Sequence, residues 1–190
     1  MRRKEVVNSD RLIRSSGPQD LYTRHVCQTG VMLEWAEVEI TNELRLRIVA
    51  SGAGIRSIEF DSTQPAPGRQ NEENAFIVEA VRQLRAYFTG DLRNFQIQLD
   101  LEGTAFQKSV WKALETIPYG ETRSYSEIAV AIGSPKAVRA VGAANGANPA
   151  PIVVPCHRVI GSSGKLVGYG GGLPLKRRLL EMERAPALFS

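Results

Sequence analysis

Cys156 and His157 stand side by side between two apolar runs, Ile152-Val153-Val154 and Val159-Ile160, with Pro155 before them and Arg158 after. A cysteine beside a histidine suggests two chemistries. As a thiolate it is a nucleophile, and a nearby imidazole lowers the thiol from about 8.5 toward neutrality. Alternatively both side chains bind a metal, but such a site needs three or four ligands. The chain has two cysteines and two histidines in all, and His25 and Cys27 lie far away in sequence. The nucleophile reading is therefore preferred, and no metal or cofactor is expected. A lone cysteine is otherwise a small core residue, so the case rests on its neighbours. Adjacent residues of a strand face opposite sides, so His157 reaches the thiol only through a bent backbone or a bridging water. Pro155, which cannot donate to a sheet ladder, makes a bend plausible. A histidine base also needs an acceptor to orient it, and Glu183 in the last predicted helix is one candidate.

These groups need a core to hold them. At 190 residues, 43% hydrophobic and 23% charged, the chain has the composition of an ordinary globular protein with a real core. No stretch approaches the length of a membrane span. Met1-Arg2-Arg3-Lys4 has no apolar run behind it, so no secretory signal is expected. The expectation is a cytoplasmic protein with no membrane partner, in which Cys27 and Cys156 stay reduced. Charge is uneven. Thr104 to Arg184 holds 11 Lys+Arg against 5 Asp+Glu, whereas residues 1–103 hold 13 against 15. A basic second half suits a phosphate-bearing partner, although a solvated basic surface reads the same way.

Residues 1–30 are polar and irregular. A strand is expected through Val31, Leu33, Trp35, Val38 and Ile40, with a flaw near Ala36. Leu44, Leu46 and Ile48 alternate with Arg45 and Arg47, and Ile55 to Phe60 follows after Gly52 and Gly54, which makes an antiparallel meander. Asp61 to Asn71 reads as a loop. Ala75, Val78, Val81, Leu84, Ala86 and Phe88 predict a helix that stops at Gly90. Phe95, Ile97, Leu99 and Leu101 predict another strand. Gly103 is the expected boundary between an α/β domain, 1–103, and a mainly helical domain, 104–190. In the second domain Thr104 and Gln107 fit a capping box. A helix over Ser124 to Ile132, a Gly133 turn and a helix opening at Pro135 form a helix-turn-helix. Its second helix carries Lys136 and Arg139 among Ala137, Ala140, Gly142 and Ala143, small enough to approach another backbone closely. That backbone is a DNA groove or a neighbouring helix. Two glycine-rich loops, 161–164 and 168–172, precede a last helix from Pro174 with basic Lys176, Arg177 and Arg178.

Several motifs in this order carry a resemblance. Pro155-Cys156-His157-Arg158-Val159 resembles the signature of the O6-alkylguanine-DNA alkyltransferases. Ser124-Tyr125, the run from Pro135 to Gly142, Asn148-Pro149, and Gly168 to Leu173 agree with it, and the match covers about residues 104–184. The first half is similar only in its strand-and-helix plan, which in this family is ribonuclease-H-like. The resemblance implies Cys156 as the alkyl acceptor, His157 as its base through a bound water, and Glu183 as the group that orients His157. It implies that Tyr125 assists the flipped nucleotide, that Arg139 fills the gap in the base stack, and that Asn148 braces the turn before the cysteine. Lys136, Ala137 and Ala140 would then lie against DNA, and Pro151, Val159, Tyr169 and Gly170 would line the guanine pocket. The implied partner is double-stranded DNA carrying O6-alkylguanine, with O4-alkylthymine a second lesion. A monomer is expected, and cooperativity on DNA is left open.

Chemistry supports the same assignment. The reactive carbon lies inside the duplex, so the base must leave the stack, and the thioether product is not readily hydrolysed, so each molecule acts once. One departure stands out: many relatives carry serine or alanine where this chain has Gly170, which leaves the alkyl range open. Two other readings compete. A thiol hydrolase would turn over, and a helix-turn-helix regulator would be indifferent to Cys156.

Overall fold

The computed structural model describes residues 31–184. The N-terminal segment read as irregular, the tail expected to fray from Ala185, and the alternatives involving His25 and Cys27 lie outside the described residues. Three strands, β1 (Glu34–Thr41), β2 (Leu44–Ser51) and β3 (Gly54–Phe60), form the antiparallel meander. Ala36, Ile40, Leu46 and Ile48 are buried on it. The expected flaw at Ala36 is not there, because Ala36 is a small core residue in phase with Val38 and Ile40. The register shift falls between Glu39 and Thr41, beside the turn. Arg47, expected to face solvent, is buried. It pairs with Glu37 at 2.8 Å and donates to the Gln64 carbonyl at 2.6 Å, so the loop after β3 folds over it.

Two further differences lie at the sheet edges. Within the segment read as a loop, β4 (Arg69–Gln70) pairs parallel with β1. Two polar residues beside Gly68 carry no periodicity that would mark a strand. Residues 95–101, expected to be a strand, touch the sheet mainly at one point: Ile55 N donates to the Gln98 carbonyl at 2.8 Å, and Asp100 N donates to the Ile55 carbonyl at 2.9 Å. Their alternating apolar side chains pack half-buried on the core without a full ladder. Helix α1 (Ala75–Thr89) is capped by Asn74 and ends at Gly90. Its buried stripe is Ile77, Ala80, Gln83, Leu84 and Tyr87, and Val78 is 52% exposed. Hydrophobicity pointed one residue off the true face because Gln83 and Tyr87 are polar yet inward.

In the second half, α2 (Ala105–Glu115) opens with the Thr104–Gln107 capping box and buries Val110, Trp111 and Leu114. Such a cap contributes about 1 kcal/mol. A Cβ on Gly103 would lie 2.5 Å from the Trp111 ring, so the chain can enter α2 there only without a side chain. Helix α3 (Tyr125–Ala131) is capped by Ser124 with Glu127, and α4 (Val138–Gly146) completes the helix-turn-helix. The second helix starts three residues later than expected: Pro135, Lys136 and Ala137 form the turn into it, and Ala137 occupies the cap position with no side-chain hydrogen bond. Trp111 Nε1 donates to the Ala144 carbonyl at 2.8 Å and so ties α2 to α4. A short parallel pair, β5 (Arg123–Ser124) with β6 (Val159–Ile160), joins the start of α3 to the chain leaving Cys156. Helix α5 (Gly172–Arg184) begins two residues before Pro174.

One hydrophobic cluster runs from Ala36 on the sheet through Trp111 to Leu179 on α5. Replacing Trp111 with phenylalanine keeps most of its packing and strands the buried Ala144 carbonyl. We expect Trp111→Phe to lose about 1–3 kcal/mol of stability, read as a lower urea midpoint.

Candidate active site

The segment from Ala150 to Val159 is buried throughout. Asn148 shapes its entry. Its Oδ1 accepts from Ala150 N at 3.0 Å and its Nδ2 donates to the Val154 carbonyl at 2.8 Å, clipping a turn that Val154 N closes onto the Ala150 carbonyl at 2.9 Å. Inside that turn Ile152 has φ 75° and no exposure. A β-branched residue held in the left-handed region costs about 1–3 kcal/mol, which the clip and the packing offset. The N-terminal half reaches this turn directly, since Ile58 N in β3 donates to the Pro149 carbonyl at 2.8 Å. Pro155, with φ −80° and ψ 60°, then bends the chain into one 3-10 turn, Cys156–Arg158.

That turn sends His157 and Arg158 toward α5. His157 Nε2 lies 2.9 Å from Glu183 Oε1. Arg158 grips both oxygens of the same carboxylate, from Nε at 3.0 Å to Oε2 and from Nη2 at 2.8 Å to Oε1, and its Nη1 donates to the Ile117 carbonyl at 2.6 Å. Gly120 N donates to Oε2 at 3.2 Å, and the Tyr87 hydroxyl to Oε1 at 2.6 Å. His157, Arg158, Glu183 and Tyr87 are all buried. Burial pushes the Glu183 carboxyl up, but hydrogen bonds from His157 and Arg158, the His157 charge and the Tyr87 hydroxyl outweigh it and bring it to about 2. Burial lowers the pKa of His157 in spite of Glu183, with Arg158 and Lys176 acting in the same direction. The histidine is therefore neutral. With Nε2–H donated to an ionised carboxylate, Nδ1 carries the free lone pair, and it has no hydrogen-bond partner among the described residues.

Cys156 is 4% exposed. Burial pushes its thiol up, against hydrogen bonding from Asn148 and the charge of Lys176. This corrects the expectation of a thiolate near neutrality: the resting group is a thiol, and a base must take its proton when it reacts. The thiol lines a cavity of about 690 Å³ together with Tyr125, Arg139, Asn148, Pro151, Tyr169 and Gly170, and with Phe60 from β3. Seven residues named from the sequence thus share one wall. Val159 is not among the lining residues; it is fully buried in β6 and its carbonyl accepts from Lys176 Nζ at 2.6 Å. Lys136 and Ala140 lie exposed beside Arg139, and Ala137 is half-buried, all outside the cavity lining. The Tyr169 hydroxyl is buried with no hydrogen-bond partner among the described residues. A Cβ on Gly170 would make ordinary contact with Phe60 at 3.8 Å, so backbone geometry does not demand the glycine. Among the described residues no three His, Cys, Asp or Glu side chains cluster to hold a metal, and no helix is long and apolar enough to cross a membrane.

Sequence reading missed three members of this site. Tyr87 lies off the apolar stripe that predicts its helix, so the pattern gives it no inward role. Arg158 stood in the motif without a role, and nothing in the sequence shows that it is buried. Lys176 stands in a basic run with Arg177 and Arg178 that marks none of the three as inward, yet its Nζ is enclosed by the carbonyls of Val159 and Val167, the latter at 2.8 Å. It joins β6 to the loop that carries Tyr169.

Both buried groups make folding acid-sensitive in the same direction. His157 has its pKa lowered from 6.5, so the unfolded chain binds a proton first as pH falls below 6.5. Glu183 is lowered from 4.5 to about 2, so its stabilisation is complete above 4.5 and is lost as pH falls through about 2. Urea midpoints should drop in two stages, below pH 6.5 and again below pH 4.5, and Glu183→Gln should lose stability at pH 7 and shrink the second stage.

Comparison with known proteins agrees over both halves. Residues 105–185 match the family model described as 6-O-methylguanine DNA methyltransferase, DNA binding domain, and residues 45–101 match that described as its ribonuclease-like domain. The methylated-DNA–protein-cysteine methyltransferase of Mycobacterium tuberculosis H37Rv is 69% identical over 110 residues, covering 57% of this chain and 67% of the relative. That of Mycobacterium leprae is 63% identical over 118 residues, covering 62% and 72%. Among solved structures, the Mycobacterium tuberculosis O6-methylguanine methyltransferase superposes with a TM-score of 0.70 at 48% identity, covering 83% of this chain and 96% of its own. The Mycobacterium tuberculosis OGT in complex with DNA gives 0.68 at 50% identity, with the same coverage. The site is thus built on a ribonuclease-like domain joined to a helix-turn-helix domain, and the chain belongs to the methylated-DNA–protein-cysteine methyltransferase family.

Proposed function

We propose that this protein repairs DNA by direct reversal, moving the alkyl group of O6-alkylguanine irreversibly to Cys156, one event per molecule. The observation that carries this reading is the shared cavity: the Cys156 thiol and Arg139 of the helix-turn-helix line the same space. A lesion base can reach that thiol only after leaving the duplex, at a cost of a few kcal/mol. Arg139 is exposed on α4 and long enough to fill the vacated stack. Lys136, Ala137 and Ala140 bring the same edge of the motif against the groove, where cationic side chains replace counterions. Tyr125, Pro151, Tyr169 and Gly170 hold the purine.

The chemical step is one displacement. His157 Nδ1 takes the Cys156 proton through a bound water, while Glu183 keeps the imidazole oriented. Sulfur forms a bond to the alkyl carbon, the carbon–oxygen bond breaks, and O6 keeps the electron pair. The departing guanine takes up a proton as charge develops, with the Tyr125 hydroxyl a candidate donor, and the proton held by His157 returns through solvent to restore the tyrosine. Asn148 shapes the turn and hydrogen-bonds the thiol. The thioether has no route back, so the protein is consumed. We take it to act as a monomer in a reducing cytoplasm, with the division between its halves at Gly103.

Incubation with duplex DNA bearing labelled O6-methylguanine should move at most one methyl onto each chain, seen by intact mass, and Cys156→Ala should take up none. Label released to solvent, or more methyl moved than protein present, would overturn the reading. Arg139→Ala should slow repair of duplex DNA on the order of 10- to 100-fold, since a few kcal/mol of unstacking then goes unsupported, and should react normally with the free base O6-methylguanine. Equal losses on both substrates would remove the stack-filling role.

A further inference from the structure

Helix α1 belongs to the half of the chain that shows no chemistry in its sequence, yet its Tyr87 ends in the site. The residue is fully buried. Its ring is fixed by Phe95 and Tyr119, with centroids 5.1 and 6.1 Å away. Its hydroxyl lies 2.6 Å from Glu183 Oε1 and 3.5 Å from His157 Nε2. Because an ionised carboxylate only accepts, the hydroxyl proton points to Glu183. The same Oε1 also receives His157 and Arg158 Nη2.

We propose that Tyr87 is a positioning residue for the transfer step: its hydroxyl shares Glu183 Oε1 with His157, fixes the imidazole as its Nε2–H tautomer, and restrains the basicity of the carboxylate so that Nδ1 stays free to accept. The proposal rests on the function above, with His157 as the base. Its electrostatic setting is complete on every side. Glu183 and Lys176 face His157 from α5, Arg158 from the turn, Tyr169 from the following loop, and Tyr119 lies against Tyr87 from the loop after α2. Of these groups, Glu183 is the one that Tyr87 touches directly among charged side chains. Removing a donor from a carboxylate makes it more basic, and a more basic carboxylate favours the imidazolium. Losing the hydroxyl therefore raises the pKa of His157, whereas losing a mere packing contact leaves it in place.

The test is the pH dependence of single-turnover methyl transfer from duplex DNA, compared for wild type, Tyr87→Phe and His157→Gln. Wild type should show an acid limb that is absent from His157→Gln. Tyr87→Phe should move that limb up by about one pH unit, the scale of a hydrogen bond to a charged group, with the same plateau rate at high pH and unchanged DNA affinity. The chain has two histidines, so a His25→Gln background isolates the His157 ring for nitrogen NMR, and its titration should shift by the same amount. A lowered plateau with an unmoved limb, or no change at all, overturns the proposal and leaves the repair function standing. A limb that persists in His157→Gln overturns both the base assignment and the proposal. Should Tyr87→Phe not fold, the wild type still decides: a slowly exchanging Tyr87 hydroxyl proton with a cross-peak to the His157 Nε2 proton is expected, and its absence overturns the proposal.

Discussion

A carboxylate taken out of water must be surrounded by donors or it destabilises the fold by several kcal/mol. Glu183 is such a group, and much of the arrangement around it follows from satisfying it. Tyr87 comes from α1, Gly120 from the loop after α2, and His157 and Arg158 from the 3-10 turn. Tyr87 and Glu183 are 96 residues apart in the chain. The interaction therefore joins both halves and the last helix at one point. Arg158 pairs with both Glu183 oxygens, and burial keeps the histidine neutral beside it.

The second constraint acts on the turn that carries Cys156. A left-handed Ile152 is unfavourable by itself and persists because Asn148 clips the backbone, β3 bonds Pro149, and the side chain has no exposure. On the far side, Lys176 holds Val159 and Val167 together with one buried ammonium. The thiol is thus aimed from both ends of its segment. Each end is fixed by one polar side chain in a dry place, Asn148 or Lys176, with β3 bracing the first.

How far this was legible differs by residue. The meander, the capping boxes at Thr104 and Ser124, and the stop at Gly90 are local signals, and local chemistry decides them. The family motifs placed Cys156, His157, Tyr125, Arg139 and Asn148 near one another before any coordinates. What could not be read was the sign of burial for polar residues. Arg47, Arg158, Lys176 and Tyr87 look like surface or packing groups in sequence, and all four are buried with partners at distant positions. The state of Cys156 was misjudged for the same reason, since a neighbouring histidine suggests activation while the surrounding apolar wall works against it. The start of α4 was misplaced because proline is permitted at a first helical position without requiring a helix there.

The enclosure of Cys156 also bears on the lifetime of the protein in a cell. Peroxides attack the thiolate, and susceptibility to oxidation follows thiolate character and exposure. A thiol at 4% exposure whose pKa is pushed up by burial is a poor target on both counts. A molecule that can react once gains nothing from a sulfur that is spent on oxidants while it waits for damage. The same desolvation that makes the nucleophile depend on a base therefore also sets its shelf life.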